Sequence, residues 1–302
     1  MPPAFCRALA AEKHVDIAGI FREDGSYAFD GFAHFLEVYE AATSVLRSPE
    51  DYARLTRAVL EELEAEGVLY AESFVSPDFC GAPDPAAWAE YLEAMTEAAE
   101  GSPVTLRFIA TCIRHFGPEK ARDAARCAAE TAGTLVGWGM GGAETVGRAA
   151  DYAWAFDCAR EAGLRLTSHA GEWGGPSSVR ETLDALRVER VGHGVRAVED
   201  AALVDRLERE GIVLEVCPGS NLALGVYPRP SAHPIAALRD AGVPVTVSTD
   251  DPPFFHTSMA KERDILERGF GWGAEEFAEL DRVALDAAFC DEATKDRIRK
   301  DL

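Results

Sequence analysis

Two hydrophobic spacings divide the chain. Apolar residues recur every three or four positions over residues 2–13 and 29–46, as in Phe32, Phe35, Leu36 and Tyr39, and this spacing predicts amphipathic helices. A turn at Gly25-Ser26-Tyr27 parts them. A third helix is predicted from Pro49 to near Gly67, carrying Leu55, Val59, Leu60 and Leu63. Ser48 is its expected N-cap, and Pro49 sits at the first helical position, where a missing N–H costs nothing. From Val68 onward short apolar runs take over. Strands are predicted over 68–75, 104–110, 134–139, 164–169, 190–193, 212–216 and 243–248. Between them helices are predicted over 86–99, 118–132, 143–162, 178–186, 199–210 and 234–240. Seven strands alternating with helices imply a parallel sheet.

Such a sheet is either an open doubly wound one or a closed barrel. The open form tolerates any strand number, but no glycine-rich phosphate loop follows the first strand. In a (β/α)8 barrel the active site lies at the C-terminal ends of the strands. Polar residues of the kind that build sites follow at least four of the predicted strands. The expected fold is therefore α/β, a (β/α)8 TIM-type barrel in one domain over 1–302, with strand 1 missing ahead of the opening helix.

Composition narrows the partners. With 47% hydrophobic residues the chain is globular, and its formal net charge of −22 repels phosphate backbones, so nucleic acid is not an expected partner. The seven cysteines are scattered without a C-x-x-C pair, which points to a reducing, cytoplasmic location. The first residues do not read as a signal peptide and no apolar run is long enough for a bilayer, so no membrane partner is expected. Oligomeric state is not set by any of these features.

Candidate chemistry gathers at the strand ends. The fourth predicted strand runs into Ser168-His169-Ala170-Gly171-Glu172, a histidine and a carboxylate suited to metal binding and proton transfer. His193 stands between two glycines, which makes a poor strand interior. Asp250-Asp251 follows the seventh strand and, taken alone, reads equally well as a cap before Pro252. Gly142 reads equally well as a turn glycine, His233 as a loop or helix-start residue, and Asn221 as shaping the loop after Pro218. His14, His34 and His115 are expected at the surface.

Five runs together, Ser168–Glu172, Val191-Gly192-His193-Gly194, Glu215–Pro218 with Ser220-Asn221, His233-Pro234 and Ser248–Pro252, resemble the adenosine/adenine deaminase family of the metal-dependent amidohydrolase superfamily. The resemblance covers nearly the whole chain. It implies a barrel with one Zn²⁺ per chain and a small-molecule purine substrate, whose exocyclic amine is replaced by oxygen with release of ammonia. It implies His169 and Asp250 as zinc ligands, Glu172 as the residue that protonates a ring nitrogen, and His193 as the residue that orients the metal-bound water. Asp251 would hydrogen-bond the other ring nitrogen, and the backbone of Gly142 would face the purine. A zinc deaminase of the cytidine type is excluded, because its His-x-Glu and Pro-Cys-x-x-Cys pairs are absent.

One family feature is missing. The family's other two zinc ligands form a His-x-His pair on the first strand, and no His-x-His occurs in this chain. Met1-Pro2-Pro3-Ala4-Phe5 resembles the sequence just after that pair, so an in-frame strand ending in His-x-His is expected upstream of Met1. Without it, two ligands fall short of the usual three. The chain would then be an inactive relative acting as a binding module. Substrate signals conflict. Ser76-Pro77 after the first strand resembles the adenosine branch, whereas Ser220-Asn221 and Asp251-Pro252-Pro253-Phe254-Phe255 lean toward adenine. Adenosine or 2′-deoxyadenosine is the expected substrate, with adenine or a larger adenine-containing metabolite such as aminodeoxyfutalosine as the alternative.

Overall fold

The computed structural model describes residues 1–302. At its centre are seven strands: β1 (Tyr70–Val75), β2 (Thr105–Ile113), β3 (Gly137–Gly141), β4 (Arg165–Ala170), β5 (Arg190–His193), β6 (Val213–Val216) and β7 (Val245–Val247). They form one sheet in sequence order, each parallel to the next. All seven are the strands that the apolar runs predict.

The sheet curls. On its inner face the Phe74 ring of β1 lies 6.1 Å from the His169 imidazole of β4, and Arg190 of β5 reaches Glu72 of β1. Helices cover the outer face, so the architecture is a TIM-type barrel of seven strands, open between β1 and β7. A cavity of about 160 Å³ lies against β1, with Met1, Tyr39, Phe254 and Asp251 on its far walls. No helix is long and apolar enough to cross a membrane.

The N-terminal end of the barrel is closed by charge. Arg190 donates to Glu72 Oε2 at 2.7 Å and to the Ala287 carbonyl at 3.1 Å. Its Nε lies 2.7 Å from Glu215 Oε1, near enough for an ion pair, although that N–H is not aimed at the oxygen. The guanidinium lies 3.4 Å from the centroid of the Phe289 ring. Glu72 in turn accepts from Tyr70 and from the Phe289 backbone N–H. Removing one partner of a buried pair leaves the others uncompensated. Arg190→Met is expected to cost about 3–5 kcal/mol. In a thermal melt that is a fall in Tm of roughly 10 °C; a Tm unchanged within about a degree would show the cluster to be inert.

Helix starts follow their caps. Ser48 accepts from the Asp51 N–H at the head of helix Pro49–Ala65, as its sequence predicts. The predicted helix over 143–162 is not continuous: a 3₁₀ turn at Ala149–Tyr152 precedes a helix over Ala153–Glu161. Gly142 and Gly147 both take positive φ, 93° and 64°, and the residues between them form a loop. The sequence pattern also missed the C-terminal helices Met259–Phe270, Ala274–Ala287 and Glu292–Ile298. His14 and His34 are exposed as expected, but His115 is half-buried, its Nδ1 accepting from the Ala143 N–H.

Candidate active site

The alternation of β4 sends Thr167 and His169 into the barrel. Thr167 donates to Glu215 on β6, and the His169 ring packs edge-on against His193, 4.9 Å between centroids. His169 pairs in register with Gly192 of β5. A Cβ on Gly192 would come within 2.6 Å of His169 Nδ1, so only glycine lets the two strands carry this imidazole. Burial, helped by His193, holds the His169 pKa below its ordinary value. The neutral ring is the form that ligates a metal, and its Nδ1 is buried without a hydrogen-bond partner.

His193, the last residue of β5, and Asp250, three residues beyond β7, lie in the left-handed region, at φ 61° and 57°. Non-glycine residues rarely adopt it, and such strain gathers at functional sites. It turns both side chains toward the mouth of the barrel. His193 Nε2 lies 3.7 Å from Glu172 Oε2 and 3.8 Å from Asp250 Oδ2. Those gaps are too long for direct hydrogen bonds and suit a bridging group. Asp250 Oδ2 accepts from Ser220 Oγ at 2.6 Å. A ligand atom from each of His193, Cys217 and Asp250 lies within 4.8 Å of the others.

Glu172 is buried, 5% exposed. Burial, then the Asp250 charge, pushes its carboxyl up to about 8. Its loop is held by Glu144, which the sequence pattern placed in a helix. The Glu144 carboxylate accepts from the backbone N–H groups of Gly171, Glu172, Trp173 and Gly174, at 2.5, 3.0, 2.8 and 3.0 Å, and from Ser178 Oγ at 2.5 Å. Burial alone would raise its pKa, but the Ser178 hydroxyl and these N–H groups outweigh that and hold it below the ordinary value. Its stabilising contribution is therefore complete above the unfolded glutamate pKa of about 4.3 and lost as pH falls through the lower folded value. Glu144→Gln puts an amide donor against backbone donors. It is expected to cost about 2–3 kcal/mol at pH 7, with a shallower loss of stability on acidification than the parent. Denaturant titrations at pH 7 and pH 4 read both; equal stability of the two proteins at pH 7 would contradict the clamp.

The other expected residues fall around this centre. Asp251 adjoins Asp250; burial and that neighbouring charge raise its pKa. Gly142 ends β3 at φ 93°, and a Cβ there would meet His115 Nδ1 at 2.8 Å, so the turn by itself accounts for the glycine. Asn221 and His233, read from sequence as loop residues, are buried and bonded into the site. Asn221 Nδ2 lies 3.1 Å from Glu172 Oε1, and Asn221 Oδ1 lies 3.1 Å from His233 Nε2. Asn221 sits not in a loop but in a short helix, Pro218–Ala223, and Glu262 pins its first turn by accepting from the Gly219 N–H and from Thr257.

His169 and Asp250 supply two of the three protein ligands usual in a catalytic zinc site. An imidazole with an orphaned buried nitrogen and a carboxylate are ligands that zinc accepts. A barrel with such residues at the C-terminal strand ends defines a metal-assisted hydrolase of the TIM-barrel type.

The chain belongs to the adenosine deaminase family: the model for "Adenosine deaminase" matches residues 18–302. Proteins of this family are hydrolases that act on a purine C–N bond. A curated adenine deaminase from Agrobacterium fabrum is 48% identical over 301 residues, covering 98% of this chain and 92% of the relative. Another, from Rhizobium leguminosarum bv. trifolii, is 48% identical over 298 residues, 97% of this chain and 92% of that one. Among solved structures, adenine deaminase from Arthrobacter aurescens superposes with a TM-score of 0.87 at 29% identity, over 97% of this chain and 91% of its own. An amidohydrolase from Burkhoderia ambifaria, with bound Zn, gives 0.86 at 25% identity, over 99% and 85%. The relatives carry the name of the alternative substrate, adenine, and not of adenosine.

Proposed function

We propose that this protein hydrolyses adenine to hypoxanthine and ammonia, using one Zn²⁺ per chain, in the cytoplasm. The observation that carries the substrate is the 48% identity, across 98% of the chain, to a protein named adenine deaminase. The scattered cysteines, all unpaired, support the location.

His169, near the end of β4, and Asp250, in the loop after β7, would hold the metal. Bound zinc lowers the pKa of water enough to supply a hydroxide-like nucleophile at neutral pH. Glu172, protonated because its pKa is raised, gives its proton to the ring nitrogen beside the attacked carbon. The C–O bond forms; as the added hydroxyl becomes the carbonyl its proton passes to the exocyclic amine, the C–N bond breaks, and the amine leaves as ammonia. His193 faces both carboxylates across the gap and stabilises charge as it develops there. Asp251, whose raised pKa favours the acid form, donates to the other ring nitrogen. The Gly142 backbone faces the edge of the base.

Turnover in oxygen-18 water tests the chemistry. One labelled oxygen in hypoxanthine and one ammonia per hypoxanthine are expected. Unlabelled product, or none, would overturn the proposal.

A further inference from the structure

The short helix Pro218–Ala223 after β6, which carries Asn221, and the turn before helix Ile235–Asp240 meet at Glu172. They form a chain of hydrogen bonds with one fixed end. The backbone N–H of Ile235 can only donate, and it donates to His233 Nδ1 at 3.2 Å. With Nδ1 accepting, a neutral His233 carries its proton on Nε2. His233 is 3% exposed, and burial lowers its pKa to about 4, so the ring is neutral at physiological pH.

The rest follows from donors and acceptors. His233 Nε2–H faces Asn221 Oδ1 at 3.1 Å. That fixes the otherwise ambiguous orientation of the Asn221 amide. Its NH2 then points to Glu172 Oε1 at 3.1 Å and to His193 Nδ1 at 3.5 Å. Glu172 Oε1 is occupied as an acceptor, so the carboxyl proton resides on Oε2. His193 Nδ1 also accepts, so its proton sits on Nε2, facing Glu172 Oε2 and Asp250 Oδ2.

We propose that His233 is a positioning residue which, through Asn221, dictates which oxygen of Glu172 holds the transferable proton and which nitrogen of His193 is the donor. A free Asn221 could present Oδ1 to Glu172 instead. The proton would then be drawn to Oε1, away from the gap between Glu172, His193 and Asp250. The inference rests on the proton-carrier role proposed above for Glu172, but the bond chain itself does not.

Two side-chain replacements separate this role from a purely local one. Gln at 233 places an amide N–H near the former Nε2 and keeps the donor to Asn221. Asn places an oxygen near the former Nδ1 and keeps only the acceptor for Ile235. His233→Gln is expected to retain kcat within about threefold, and His233→Asn to lose about tenfold in kcat at similar KM, one hydrogen bond's worth of about 1.4 kcal/mol. The reverse order, Asn active and Gln impaired, would reduce His233 to the start of its helix and overturn the proposal. Nitrogen-15 NMR of the metal-loaded protein gives a readout independent of turnover. His233 is expected as the Nε2–H neutral tautomer; an Nδ1–H tautomer at pH 7 would break both links and overturn the proposal, and a charged ring would break the first, the Ile235 N–H to Nδ1 bond from which the tautomer is argued. If that tautomer is found but adenine is not turned over, the assigned reaction fails while the bond chain stands.

Discussion

Glu172→Gln is expected to lower kcat for adenine by about a thousandfold while leaving metal content unchanged and KM within a few fold. Gln keeps an oxygen to accept from Asn221, 3.1 Å from Glu172 Oε1, so the packing of the buried site survives. What it loses is the proton. General acid catalysis by a placed side chain is worth about 10²–10⁴ in rate, and a neutral amide at this position has no acidic proton to give. The pH profile carries the sign. The working form is the protonated acid, and burial with the Asp250 charge raises its pKa to about 8. Activity should therefore fall on the alkaline side as the carboxyl ionises, and the residual activity of the variant should lack that limb. A variant that keeps a tenth of the parent kcat, with the same alkaline limb, would remove Glu172 from the proton path.

His169→Ala is expected to empty the metal site. Zinc bound to the parent protein, measured by elemental analysis after dialysis, should be near one per chain, and in the variant near zero. Losing a direct ligand should weaken affinity by more than the 10–100-fold typical of changes to residues that merely orient a ligand. The imidazole is buried beside His193, and burial keeps it in the neutral form that ligates a metal. Ligand linkage adds a second reading: zinc should raise the Tm of the parent and not of the variant. Chelation of the parent should abolish deamination and added Zn²⁺ restore it. Full zinc occupancy in the variant would show that the metal is held elsewhere, and no zinc in the parent would support an inactive binding module.

The strands were legible because a parallel sheet buries both faces, leaving short continuous apolar runs such as Phe108-Ile109-Ala110 in β2. The site was legible where chemistry sits at or just after a strand's end within two residues of a glycine, as at His169, Glu172 and His193, or in a short polar run after a strand, as at Asp250. The residues that hold those groups were not. Glu144 lies in a stretch with helical spacing, and its five donors come from a loop 27 to 34 residues away. The available signal was a carboxylate two residues beyond Gly142, at the end of β3. His233 and Asn221 are 12 residues apart and meet only through the turn between their elements. The left-handed backbone of His193 and Asp250 has no local sequence cause; the surrounding sheet imposes it. The C-terminal helices lacked a strand rhythm to mark them, yet the carbonyl of Ala287 and the ring of Phe289 complete the Arg190 cluster.

Substrate choice is where sequence motifs and whole-chain similarity diverge, since Ser76-Pro77 leans to adenosine and the curated relatives are named for adenine. The most direct test is a side-by-side measurement of kcat/KM for adenine and adenosine with the zinc-loaded protein, followed by ammonia release. Adenine is expected to be preferred by at least about a hundredfold, a difference of about 2.7 kcal/mol in transition-state binding. Equal or better turnover of adenosine would contradict the assignment and return the site to the nucleoside branch of its family.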